Sequence, residues 1–378
     1  MKILQLGKFY PIKGGVEKVM YDLMIGLSAH DIECDMLCAT NEKNKKVKRI
    51  NPYANLMFSH ACVQVAGTMI APSMISQLRK RKNDYDIIHI HHPDPMACMA
   101  LYFSGYKGKV ILHWHSDIVR QKKLMTLYRP FQKWLIKRAD LIVGTTPTYI
   151  KESDDLRNVQ HKTTYLPIGV DRMLTDTEGA ERLKTIYHNR KIIFSLGRLV
   201  HYKGYENLVK AAQYLPDDYV IVIGGAGPLL EELRNLAKRL NVREKVILIG
   251  FVREHEVPAY YTACELFCLP SVQKTEAFGI VQIEAMSCGK PVIATKIPGS
   301  GVAWVNEHGV SGLNVTPQKP EEIATAIRAI VEDKEMYKKL SEGASNRYKT
   351  HFTEERMIEK AIGIYKQLME SPTLNTKH

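Results

Sequence analysis

Two carboxylates, Glu276 and Glu284, stand with seven residues between them in the stretch 274–289, KTEAFGIVQIEAMSCG. Phe278-Gly279 separates the first from an apolar run that reads as a helix, so Glu276 falls in a loop and Glu284 about one and a half turns into the helix. Backbone N–H groups left free at Gly279, Ile280 and Val281, with the positive end of the helix dipole, suit a phosphate. Glu284 is then placed to accept from a ribose, and Glu276 to reach a sugar hydroxyl.

Other chemistry-bearing residues recur at the ends of strand-like runs. Arg198 follows IIFSLG, and Lys203 comes five residues later ahead of Gly204. Two fixed cations would stabilise a leaving nucleotide diphosphate as its negative charge grows, which removes the need for a divalent metal. Taken singly, each also fits an ordinary surface ion pair. Gly225-Ala226-Gly227-Pro228 turns from a strand into a helix, with Pro228 suited to the first helical turn. Glycines there allow close approach to a ligand, and a tight turn without one fits nearly as well. Val252 lies just beyond the next strand. Gly14 and Gly15 follow the first strand, while His115 ends VILHWH and Asp117 comes two residues on.

Together these residues resemble the retaining glycosyltransferases of family 4 (group 1), of the bacterial surface-polysaccharide and lipopolysaccharide type. The resemblance rests on Gly14-Gly15-Val16, His115-Ser116-Asp117, Gly197-Arg198-Leu199 with Lys203-Gly204, Gly225 through Pro228, and the Glu276/Glu284 pair, in family order over nearly the whole chain. It implies the GT-B fold: two Rossmann-like α/β domains facing a cleft, with a C-terminal helix crossing back to the N-terminal domain. It further implies Gly14 and Gly15 over the donor phosphate, His115 and Asp117 positioning the sugar and acceptor, and Arg198, Lys203 and Glu276 at the reacting centre. Gly225, Gly227, Val252, Phe278, Gly279, Ile280, Val281 and Glu284 would bind the donor, a UDP- or GDP-sugar. No cofactor is expected. The chain departs from the family at His201-Tyr202, where Pro-Glu is usual, so those two positions inherit no role.

The elements that must position these residues are legible as two series. Apolar runs alternate with helical patterns from ILQL to LIVGT, and again from IIFSLG through YVIVIGG, VILIG, LFCL and PVIAT. This is the pattern of parallel sheets with crossover helices. The Pro and Gly of Leu166-Pro167-Ile168-Gly169 mark a linker. The expected division is an acceptor-binding domain over 1–168, completed by a helix within 353–378, and a donor-binding domain over 169–352.

The net charge of +13 is uneven: residues 1–168 carry 25 Lys and Arg against 14 Asp and Glu, and the remainder 28 against 26. The basic half points at an anionic surface, and no nucleic-acid motif accompanies it. The stretch 119–138 holds seven basic residues and no acidic one, with Leu124, Leu127, Tyr128, Phe131, Trp134 and Leu135 as an apolar set. It reads as a crossover helix packed on its sheet, whose basic face, with Arg79-Lys80-Arg81-Lys82 and 43–49, is open to a membrane or lipid pyrophosphate. Neither a signal peptide nor a membrane span is expected, since the sequence shows no apolar run of roughly 18 residues, and the seven cysteines fit a reducing compartment. The expected location is the cytoplasm, peripheral on the inner face of its membrane.

Histidines cluster: His89, His91 and His92 end one strand, His113 and His115 the next. Buried, hydrogen-bonded strand residues are favoured over a zinc site, because no HExxH helix or acidic ligand group accompanies them. The expected reaction moves a hexose from a nucleotide-sugar to a glycan or lipid-linked acceptor. An epimerase or phosphorylase on a similar fold, and a non-catalytic nucleotide-sugar-binding subunit, are the competing readings.

Overall fold

The computed structural model describes residues 1–378 except 13, 44–45, 66, 119–121 and 371–378. The chain forms two compact units, Met1–Gly169 with the segment from Glu354 onward, and Val170–Thr353.

In the first unit the described residues form a sheet ordered Thr163–Tyr165, Leu141–Gly144, Lys109–Trp114, Ile87–His92, Lys2–Tyr10, Glu33–Thr40, Ala54–His60, Val47–Asn51. Every pairing is parallel except the last. Ile87–His92 is buried along its whole length, as expected of a parallel strand covered on both faces. That burial takes in three histidines, because the strand has no solvent face to give them. The helix Pro95–Ser104 starts where Asp94 accepts from the Ala97 N–H and Pro95 occupies the first turn.

The final helix, Glu354–Glu370, belongs to this unit. Met357, Ile358, Ala361 and Tyr365 are its buried stripe. Gly26 on the helix Gly15–Ala29 makes room for it, since a Cβ there would lie 2.4 Å from the Ile358 side chain. The Tyr365 hydroxyl reaches the sheet itself, 2.7 Å from His89 Nδ1.

In the second unit the described strands run Val246–Gly250, Tyr219–Gly224, Lys191–Leu196, Leu266–Leu269, Val292–Thr295, Gly312–Val315, all parallel. Helix Leu230–Arg239 begins two residues after Pro228, which therefore sits in the preceding turn and not in the first helical turn.

The helix Lys122–Arg138 is present, and residues 119–121 of the basic stretch, like 44–45 within 43–49, lie outside the described residues. Tyr128 and Leu135 are buried, as a sheet-packing helix requires. Leu127, by contrast, is 75% exposed. Phe131 and Trp134 are half-buried and meet Tyr102 edge-on at 5.4 and 4.8 Å, forming a surface aromatic group beside basic residues. Among the described residues no helix is long and apolar enough to cross a membrane.

Candidate active site

The second unit assembles most of the expected donor residues at the carboxyl ends of its strands, where open α/β sheets bind ligands. Lys203 Nζ lies 2.5 Å from Glu276 Oε2, with both side chains only 10% exposed. Ser271 donates to the same carboxylate oxygen at 2.9 Å, and the Ser300 hydroxyl bonds the Glu276 backbone carbonyl. The cation expected on a diphosphate and the carboxylate expected on a sugar thus face each other. Arg198 is exposed, and Nη2 donates to the Tyr202 hydroxyl at 3.2 Å. Tyr202 also lies under Lys203, its ring centre 5.7 Å from Nζ. Sequence reasoning gave Tyr202 no role because it departs from the usual motif. Here it touches both cations.

The loop bearing Arg198 is held by backbone. Gly197 N–H donates to Gly224 O, and Leu199 N–H to Ala226 O, each at 3.0 Å. A Cβ on Gly225 would fall 1.8 Å from Gly197 O, and one on Gly227 2.4 Å from Leu199 O. Both glycines are needed for one loop to lie on another. Val252 is half-buried beside this turn, its Cγ2 2.8 Å from where a Gly224 Cβ would be.

Gly279 caps the helix Ile280–Ser287 with φ of 75°, a conformation that favours glycine. Phe278 is buried and anchors the turn edge-on against Phe352 at 5.9 Å. The Gln282 N–H donates to Gly279 O, while the first N–H groups of the helix, at Ile280 and Val281, have no intrahelical acceptor. Glu284 accepts from the Tyr261 hydroxyl at 2.8 Å, and that hydroxyl also bonds Val281 O at 3.1 Å. Tyr261 is fully buried, which with the adjacent Glu284 carboxylate holds its phenol well above the usual range. It is a second support that the sequence did not flag, because a tyrosine in an apolar helix reads as core.

The first unit holds the remaining residues. Gly14 caps Gly15–Ala29, and the Glu17 carboxylate folds over it, 2.2 Å from where a Cβ would stand. His115 follows Lys109–Trp114 directly, its N–H donating to His92 O at 3.1 Å. Asp117 Oδ1 accepts from Trp114 Nε1 at 2.8 Å and from Ser153 Oγ at 2.7 Å, so it ties down the loop after His115. Lys8 and Asp94 were not foreseen. Lys8 bonds the Pro93 carbonyl through Nζ and the Asp94 carboxylate through its N–H. Its position at the carboxyl end of the first strand was the available signal.

All five clustered histidines are buried. Burial holds His89, His91 and His115 well below the usual imidazole range and pushes His92 and His113 down to about 3. Nitrogens of His89, His91 and His113 lie within 4.8 Å of one another. Three ligands of one zinc sit about 3.3 Å apart, given bonds of about 2.0–2.1 Å. Both nitrogens of His91 are already hydrogen-bonded, and among the described residues no carboxylate or thiolate joins the three. His113 departs from the hydrogen-bonded residue expected, since neither of its ring nitrogens has a hydrogen-bond partner among the described residues.

Two parallel Rossmann-like units with these site elements define a GT-B glycosyltransferase. Residues 13–173 match the description Glycosyltransferase Family 4, and residues 177–347 match Glycosyl transferases group 1. The D-rhamnosyltransferase WbpZ of Pseudomonas aeruginosa is 30% identical, over 93% of this chain and 92% of its own. The O-antigen chain mannosyltransferase C of Escherichia coli is 28% identical, over 98% and 100%. Anabaena Alr3699/HepE, solved in complex with UDP, superposes with a TM-score of 0.78 at 20% identity, covering 97% of this chain and all of that one. The chain belongs to the group 1, family 4 glycosyltransferases.

Proposed function

We propose that this enzyme moves a hexose, with retention of configuration, from a UDP- or GDP-sugar to a glycan or lipid-linked acceptor in bacterial surface-polysaccharide assembly. The observation that carries the reading is the buried Lys203–Glu276 pair, which Tyr202 joins to Arg198, together with Glu284 on the helix that Gly279 caps. Arg198 and Lys203 receive the diphosphate, with Phe278, Gly279, Ile280 and Val281 contributing backbone and the positive end of the helix. When the diphosphate draws Lys203, Glu276 becomes available to a sugar hydroxyl. Glu284, held by Tyr261, takes the ribose. Backbone around Val252, Gly225 and Gly227 lies along the nucleoside. Gly14 and Gly15 are assigned to the donor phosphate, and His115 and Asp117 to positioning the sugar and acceptor. The acceptor attacks the anomeric carbon on the face the diphosphate leaves, and the leaving phosphate takes its proton.

No metal is required, because the two cations supply the charge a metal would. The polymer-building reading is supported by the O-antigen mannosyltransferase relative. The excess of basic residues in 1–168 and the aromatic group around Tyr102 and Trp134 support a cytoplasmic enzyme that sits on an anionic membrane.

The test is a thermal-shift panel of UDP-, GDP-, ADP- and dTDP-sugars in EDTA, repeated with Arg198→Ala and Glu284→Ala, followed by product analysis with the sugar that binds. Stabilisation by one nucleotide class, abolished by both substitutions, is the expected result. Binding that survives both, or that needs a divalent ion, sinks this assignment.

A further inference from the structure

Behind His115 runs a line of buried polar side chains that glycosyl transfer itself does not use. His115 Nε2 lies 2.8 Å from His91 Nδ1, and His91 Nε2 lies 2.7 Å from Gln5 Oε1. Gln5 Nε2 donates to the Tyr365 hydroxyl at 3.3 Å and points at Cys34 Sγ at 3.7 Å. The Tyr365 hydroxyl lies 2.7 Å from His89 Nδ1. Every member is buried.

The donor and acceptor roles along this line are not independent. An amide oxygen only accepts, so His91 Nε2 carries a proton. Burial keeps His91 neutral, so its Nδ1 is a lone pair and His115 Nε2 must be the N–H donor. A neutral His115 then has its lone pair on Nδ1. In the other direction, Tyr365 accepts from the Gln5 amide and donates to His89 Nδ1. This leaves the His89 proton on Nε2, the atom that has no partner. Turning the Gln5 amide over would invert all of these choices at once.

We propose that Gln5 and His91 are positioning residues that set the tautomer of His115, so that it offers an unprotonated Nδ1. In the reading given above, where His115 meets the sugar or acceptor, it would then act by accepting a hydroxyl proton in a hydrogen bond. Only this consequence rests on that reading. The tautomer can be measured without donor or acceptor.

The experiment is long-range ¹H–¹⁵N correlation of the full-length protein labelled at histidine, with His89, His91 and His115 assigned by single substitutions. All three should carry their proton on Nε2 at neutral pH. Gln5→Glu keeps an acceptor oxygen and should preserve the His115 signature, whereas Gln5→Leu should introduce the second tautomer at His115. A wild-type His115 protonated on Nδ1 overturns the proposal. So does a Gln5→Leu protein, folded by its backbone spectrum, whose His115 is unchanged.

Discussion

Lys203 and Glu276 form an ion pair that is nearly closed to water, and in the proposed reaction each exchanges its partner for substrate. Removing one alone strands the other: Lys203→Ala should cost about 3 kcal/mol, in the range for breaking a buried pair, on chemical denaturation. It should also lower kcat/KM by about a hundredfold or more, the scale of losing a group that stabilises transition-state charge. The double variant with Glu276→Ala should recover much of the stability and none of the activity, which separates a catalytic pair from a purely structural one. Tyr261→Phe removes one bond to Glu284, worth about 0.5–1.5 kcal/mol, and should raise the donor KM about 3- to 10-fold with kcat nearly unchanged. Both would be read from steady-state kinetics.

Among the elements, the two loops that cross at Gly197 and Gly225 matter most to the donor residues. Gly225→Ala places a methyl inside contact distance of a backbone oxygen, and the loop carrying Arg198 must move. A lowered melting temperature together with lost nucleotide binding is expected. The paired strands Ile87–His92 and Lys109–Trp114 set a pH limit. His92 and His113 have pKa values of about 3 when folded against about 6.5 unfolded, so the unfolded chain binds more protons across that interval. Stability is therefore present above about pH 6.5 and lost as pH falls. Each of the two should subtract about 2 kcal/mol at pH 5 in denaturation measured across pH. Charge and packing also explain what the sequence did and did not disclose. Apolar runs followed by helical patterns made the alternating strands and helices readable, and Phe278-Gly279 ahead of an apolar run located the start of the helix Ile280–Ser287. Strands such as Ala54–His60 and Gly312–Val315 were not read, since they lack a clean apolar run between turn signals. Tyr261 and Lys8 were missed because their roles come from residues distant in sequence that the fold brings alongside, and Tyr202 because it departs from the usual motif.

At the scale of the whole molecule, charge separates what composition averages. The basic first half should carry the protein to liposomes containing anionic lipid, and flotation should weaken as salt rises, as screening of surface charge requires. Replacing Leu127 and Trp134 with Ser should reduce flotation while leaving nucleotide binding in the other unit intact. The helix Glu354–Glu370 has a different consequence, one for synthesis. Gln5 and Tyr365 are hydrogen-bonded although 360 positions apart, and Ile358 fills the notch left by Gly26. The unit made first is therefore completed last. During translation the continuous segment Val170–Thr353 can close its own core, while the earlier-made sheet waits with His89 and its neighbours uncovered until Glu354–Glu370 has been made. A ribosome stalled just before Glu354 should thus display a protease-resistant second unit joined to a first unit that is still readily cut.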